Sequence, residues 1–129
     1  MHPRTHLGID SRLCGAAVEL AEGRARVVLD AAPQMSADDR GLVHGGFVFG
    51  AADYAAMLAV NDPNVVLGAA EVKFVAPMCV GEKAIFDAER VEVSGRKHAI
   101  TVRGRVAERE IFQGRFVALV LDRHVLDPS

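Results

Sequence analysis

One carboxylate, Asp53, stands in an apolar stretch, residues 47–60, whose only other polar side-chain group is the Tyr54 hydroxyl. Burying an ionised carboxyl without partners is costly, so such a group shifts its pKa or pairs. A carboxylate retained there suits acid–base or nucleophilic work. Its structural alternative is a satisfied aspartate bonded to backbone, to Tyr54 or to an arginine. Just ahead lies His44-Gly45-Gly46. If a helix starts at that turn, unsatisfied backbone N–H groups and the positive end of the helix dipole face outward, and the glycines let a ligand approach closely. Gly45 N–H is then placed to hold an oxygen on which negative charge develops, and losing such a donor typically costs about 3–4 kcal/mol of barrier. The plainer alternative is a tight turn into the helix with His44 as a capping or packing residue.

The elements that must position these groups are mostly strands. Residues 98–106 place Ile100, Val102 and Val106 at even positions and Thr101, Arg103 and Arg105 at odd ones, the period of a half-buried strand. Residues 111–121 are apolar on both sides and predict an interior strand. Strands over 17–21 and 24–29 flank Glu22-Gly23, residues 83–93 precede a Ser94-Gly95 turn, and a further strand over about 65–75 stops before Pro77. Residues 31–41 are polar enough to predict a mobile loop. Residues 45 to about 61 break the strand pattern and predict the one long helix, ended by Asp62-Pro63. A helix apolar all round is a buried helix. The expected class is α+β, a helix enclosed by a curved antiparallel sheet of five or six strands, in a single domain over residues 1–129.

Gly45 and Asp53 are eight positions apart, about 12 Å along a helix, too far for both to touch one reacting carbonyl. Two such helices packed antiparallel about a two-fold axis bring Asp53 of one subunit near Gly45 of the other and form two composite sites. A homodimer is then required for chemistry.

The stretch His44-Gly45-Gly46-Phe47-Val48-Phe49-Gly50-Ala51-Ala52-Asp53 resembles the HGG…F…AD signature of hotdog-fold acyl-CoA thioesterases of the phenylacetate-degradation type. The likeness covers most of the chain: the first hairpin, the HGG turn, the long helix, the segment from Val72 to Pro77 and the closing strand around Gly114. It implies hydrolysis of an aryl or short-to-medium acyl thioester of coenzyme A to free acid and thiol. It also implies sites shared across a homodimer, often paired further into a homotetramer. Gly45 would polarise the thioester carbonyl, with Gly46 beside it, while Asp53 of the partner either activates water or attacks the carbonyl to form an anhydride. His44 would orient the turn or the thioester. Some relatives carry a hydroxyl residue one helical turn after the carboxylate; here that residue is Met57.

Arg96 and Lys97 resemble the basic hairpin that in some relatives contacts the phosphates of coenzyme A, and the other reading is a solvated turn. Phe74 and Phe49 are candidates to line an acyl tunnel, though apolar residues at such spacing are usually core. The implied cofactor is none, coenzyme A being part of the substrate. The remaining histidines lack metal-ligand spacing, so no metal is expected. Neither GxxxxGK[ST] nor GxSxG occurs.

Lys plus Arg (15) nearly balance Asp plus Glu (17), which gives no footprint for nucleic acid or an anionic membrane. Two cysteines without metal or disulfide spacing read as reduced thiols. Residues 1–15 lack the apolar core of a signal peptide, so a cytoplasmic protein is expected. The competing functions are a non-catalytic acyl-ligand binder and, against the Asp53 placement, a hotdog hydratase or dehydratase.

Overall fold

The computed structural model describes residues 1–128. Six strands, β1 Ala16–Ala21, β2 Arg24–Asp30, β3 Val65–Phe74, β4 Lys83–Ser94, β5 Lys97–Val106 and β6 Arg109–Val120, form one sheet in the order β1-β2-β4-β5-β6-β3. All neighbouring pairs are antiparallel. A four-residue helix, α1 Ser11–Cys14, precedes the sheet, and α2 Gly45–Val60 lies across its inner face. This is the hotdog arrangement expected from the sequence. Because β3 pairs only with β6, α2 carries the chain from β2 on one side of the sheet to the far edge.

Alternation along the strands decides which face meets the helix. Ala84, Phe86 and Ala88 of β4, Ile100 and Val102 of β5, and Phe112, Phe116 and Ala118 of β6 are buried. The intervening residues face solvent and pair across strands, as in Arg26 donating to Asp87 at 2.6 Å, with Asp87 in register with Arg103. The α2 side chains from Ala51 to Ala59 are buried except Asp53, so an apolar helix is stabilised by contact on nearly every side.

At its end the α2 backbone turns left-handed at Asn61, whose N–H donates to the Met57 carbonyl at 2.8 Å. The Asn61 side chain accepts from Arg4 N at 2.7 Å and donates to the His2 carbonyl at 3.0 Å, strapping the N-terminus over the helix end. The helix therefore stops one residue before Asp62-Pro63.

The polar segment 31–41 is not the loose loop its composition predicts. It contains a 3₁₀ turn, Pro33–Met35, that drives Met35 fully into the core, and the Met35 carbonyl accepts from His44 N at 2.9 Å. Asp38 closes the next turn by accepting from Arg40 N and Leu42 N. The β4–β5 turn falls on Gly95-Arg96, one residue later than predicted. Among the described residues no helix is long and apolar enough to cross a membrane.

Candidate active site

His44 is the N-cap of α2, in extended conformation, and its side chain makes no capping bond; no acidic residue sits in the first turn. The orphan amides at this helix end therefore lack the usual side-chain partners. The exposed imidazole lies edge-on to Phe47, with ring centroids 6.1 Å apart. A Cβ at Gly46 would come within 2.9 Å of that imidazole, so the second glycine is what lets His44 fold back over the turn. Phe74, at the end of β3 and 53% exposed, brings its ring edge to 3.4 Å from where a Gly45 Cβ would lie. His44, Gly45, Gly46 and Phe74 thus converge at one end of α2.

Asp53 is partly buried in the same helix, and its Oδ1 is enclosed without a hydrogen-bond partner among the described residues. Burial pushes its carboxyl from 3.8 up to about 6. A partner from backbone, Tyr54 or arginine would have held the group low; the unpaired oxygen instead leaves it poised to exchange a proton near neutral pH. The eight residues from Gly45 to Asp53 lie within one uninterrupted helix, which keeps the two groups about 12 Å apart in one chain.

Little in the sequence marks the company Asp53 keeps. The α1 helix, capped by Asp10 through a 2.9 Å bond from Arg12 N, packs against α2. It ends on Cys14, whose thiol is pushed up by burial and then by the Asp10 and Asp53 carboxylates. Four residues are too few to show a helical period. The Asp10 cap was the one available signal. Tyr54 is buried beneath His6, with ring centroids 6.3 Å apart. Met57, one turn beyond Asp53, is fully buried and supplies no hydroxyl.

Arg96 and Lys97 sit at the other end of the fold. The Arg96 carbonyl accepts from Val120 N, and Asn64, just past the helix end, accepts from Leu121 N. The full length of α2, about 24 Å, separates this hairpin from Gly45 of the same chain. Arg96 is ion-paired with Asp122, and Lys97 is exposed. Phe49 is partly buried with its ring against Phe116, 5.7 Å between centroids. A groove of about 570 Å³ occupies the outer sheet face among Glu19, Arg24, Arg26, Asp87 and Arg103. There Arg26 pairs with Glu19 and Asp87, and Arg103 with Glu110, across neighbouring strands.

No family model matches the chain. It is 50% identical over 121 residues, 94% of its length, to a protein named methylthioribose-1-phosphate isomerase from Aquifex aeolicus, and it covers 26% of that protein. It is 28% identical over 85 residues, 66% of its length, to the transcription factor FapR of Caldanaerobacter subterraneus, of which it covers 42%. The chain therefore spans between a quarter and a half of the length of these relatives. Among solved structures, the uncharacterized protein PH1136 from Pyrococcus horikoshii superposes with a TM-score of 0.97 at 46% identity, with 98% of each chain covered. Two more distant structures share the fold. A hypothetical thioesterase from Streptococcus pneumoniae, solved with coenzyme A, has a TM-score of 0.76 at 15% identity, covering 84% of this chain and 87% of that one. The phenylacetic acid degradation protein PaaI of Thermus thermophilus, solved as a point mutant, has a TM-score of 0.77 at 24% identity, covering 84% and 95%. The identity and coverage shared with PH1136 establish that this chain belongs to the same family as that protein, a family built on the hotdog fold.

Proposed function

We propose that this protein hydrolyses an acyl thioester of coenzyme A at two equivalent sites shared across a homodimer. The observation that carries the proposal is the pairing on one helix of an uncapped Gly45-Gly46 terminus with a partly buried carboxylate whose Oδ1 has no partner. Coenzyme A bound to a neighbour of the same fold supports the substrate class.

Gly45 N–H donates to the thioester carbonyl oxygen as that oxygen gains charge, and His44 and Gly46 shape the approach. Asp53 of the partner takes a proton from water as the water oxygen bonds to the carbonyl carbon. The C–S bond then breaks, and Asp53 returns that proton to the leaving sulfur, which departs as the thiol. In the other route the Asp53 carboxylate bonds to that carbon, the thiolate leaves, and water cleaves the resulting anhydride. In single turnover in ¹⁸O water, an Asp53 oxygen found in the acid, with ¹⁸O left in Asp53, identifies the anhydride route with water attacking the Asp53 carboxyl carbon; the general-base route puts the water oxygen in the acid.

The stripe Gly46, Gly50, Asp53 supports the dimer. A Cβ at Gly50 meets nothing within 4 Å, so a second helix has room to approach there. The outer edge of β3, unpaired in this chain, is a second surface for a partner copy. In the antiparallel pairing, the Arg96-Lys97 hairpin of one subunit lies beyond its own Asp53 and on the side of the partner's Gly45, where coenzyme A phosphates would extend. Pairing of two such dimers into a homotetramer is part of the same proposal.

A second reading, a non-catalytic acyl-ligand binder, is favoured by the likeness to FapR, a transcription factor, and by Met57 where a hydroxyl residue would position water. The activity in the name of the Aquifex protein belongs to a chain most of which lies outside the matched region. Thiol release from a panel of acyl-CoAs, wild type against Asp53→Ala, decides between them. Turnover lost in the variant supports hydrolysis. Tight binding without turnover supports the binder, and full activity in the variant removes Asp53 from the mechanism.

A further inference from the structure

The second half of α2 is enclosed on every side. Ala55, Ala56, Met57 and Leu58, successive residues that point in four directions around the helix axis, are each 0% exposed. A sheet covers one side of a helix. The other side is covered by residues 1–14, a strap that runs along α2 from its C-terminal end back to Asp53. It is attached at three places. The Asn61 side chain holds the backbone of His2 and Arg4. Midway, Thr5 is buried, and its Oγ1 shares a 2.8 Å hydrogen bond with Nδ1 of His6, whose ring faces Tyr54. The last turn of the strap is α1, which packs against α2 and brings Cys14 close enough to Asp53 for the carboxylate to act on the thiol. On the other side of Asp53 the enclosure ends: Gly46 is exposed, and Phe49 and Gly50 are partly so. Asp53 stands at the boundary.

The strap supplies cover without counter-charge. Arg12 is paired with Asp10 at 2.9 Å, Arg4 lies at the Asn61 end, and burial lowers the proton affinity of the His6 imidazole. Burial pushes Cys14 and Tyr54 upward, so both are neutral at pH 7. The strands against α2 turn apolar side chains to it, save Arg90 and His98, which lie with Ala59 and Val60 at its far end. Resting on the reading of Asp53 as the carboxylate of thioester hydrolysis, we infer that the strap is a positioning element of the site: it withholds water from Asp53, and Asn61 and His6 hold it in place. The strength of the base is then set by residues outside the His44-to-Asp53 stretch. A carboxyl that regains water returns toward its ordinary proton affinity.

Two substitutions release the strap and leave the local backbone as it is. Asn61→Gly removes both side-chain bonds at φ +53°, a left-handed conformation that glycine adopts readily, and His6→Gly removes the ring at φ +56°. The experiment follows the Asp53 side-chain carboxyl by carbon-13 NMR titration in wild type, both single variants and the double variant, with thermal melts confirming folding. The wild-type midpoint is expected at about 6. In the double variant it should fall by about one pH unit or more, and in each single variant by less. The pH profile of kcat/KM for an acyl-CoA should move down by the same amount. An unchanged Asp53 midpoint in the folded double variant overturns the inference, and if that variant does not fold, unchanged midpoints in both single variants do so. No turnover of any acyl-CoA by the wild type overturns the thioester reading, while the NMR titration still decides whether the strap withholds water from Asp53.

Discussion

Replacing Asp53 by asparagine should stabilise the protein, and only above a defined pH. The side chain keeps its size, but the ionised form disappears. Burial raises the carboxyl from 3.8 to about 6, and its Oδ1 has no hydrogen bond to offset the loss of water. A rise of that extent corresponds to about 3 kcal/mol against the charged form. Partial solvent access reduces this to about 1–2 kcal/mol. Between about pH 4 and pH 6 the folded chain holds a proton that the unfolded chain has released, so stability falls as pH rises through that window. The penalty is complete above pH 6 and absent below about pH 4. Urea unfolding of wild type and Asp53→Asn, at one fixed protomer concentration, measures the difference. The variant should be more stable by about 1–2 kcal/mol at pH 8 and equal to wild type near pH 4. A difference that does not change with pH, or a variant less stable at pH 8, would refute an Asp53 held unpaired.

Three other outcomes follow from the same structure. Since Asp53 must be ionised to accept a proton or attack a carbonyl, kcat/KM should rise with pH through a midpoint near 6 and level off above it; a flat profile from pH 5 to 8 would remove that role. Gly15 holds φ at +87°, and a Cβ there would lie 2.6 Å from Val27 Cγ1 and 2.9 Å from the Val28 carbonyl oxygen, so Gly15→Ala should cost about 2–4 kcal/mol by thermal or urea unfolding. Substituting both Arg96→Ala and Lys97→Ala should raise KM several-fold for acyl-CoA and leave it unchanged for the matching N-acetylcysteamine thioester, which has no phosphates; an equal rise for both substrates would contradict phosphate contact.

Much of the architecture is legible in side-chain period. Ile100 and Val102 against Thr101 and Arg103 specify which face of β5 meets the core, and the structure buries the first pair and exposes the second. The α2 helix is legible because residues 47–60 are apolar at every angle, a pattern only a surrounded helix tolerates. Asp53 stands out for the same reason. Met35 shows where such reading ends: one apolar side chain in a polar segment has no period, and its burial depends on the hydrogen bond from His44 N that only the folded chain makes. The distance between Arg96 and Gly45 was equally hidden. It depends on β3 reaching the far edge of the sheet, which is a property of topology and not of local sequence.

The shared site is tested most directly by mixing two inactive proteins, Asp53→Ala and Gly45→Val, and measuring thiol release after subunits exchange. Each mixed dimer has one intact site, in which Asp53 of the Gly45→Val subunit faces Gly45 of the Asp53→Ala subunit, and one site broken twice. Half the dimers in an equimolar mixture are mixed, so about a quarter of wild-type activity should return. No recovery, with exchange confirmed by differently tagged subunits, would contradict a catalytic carboxylate and helix terminus contributed by different chains.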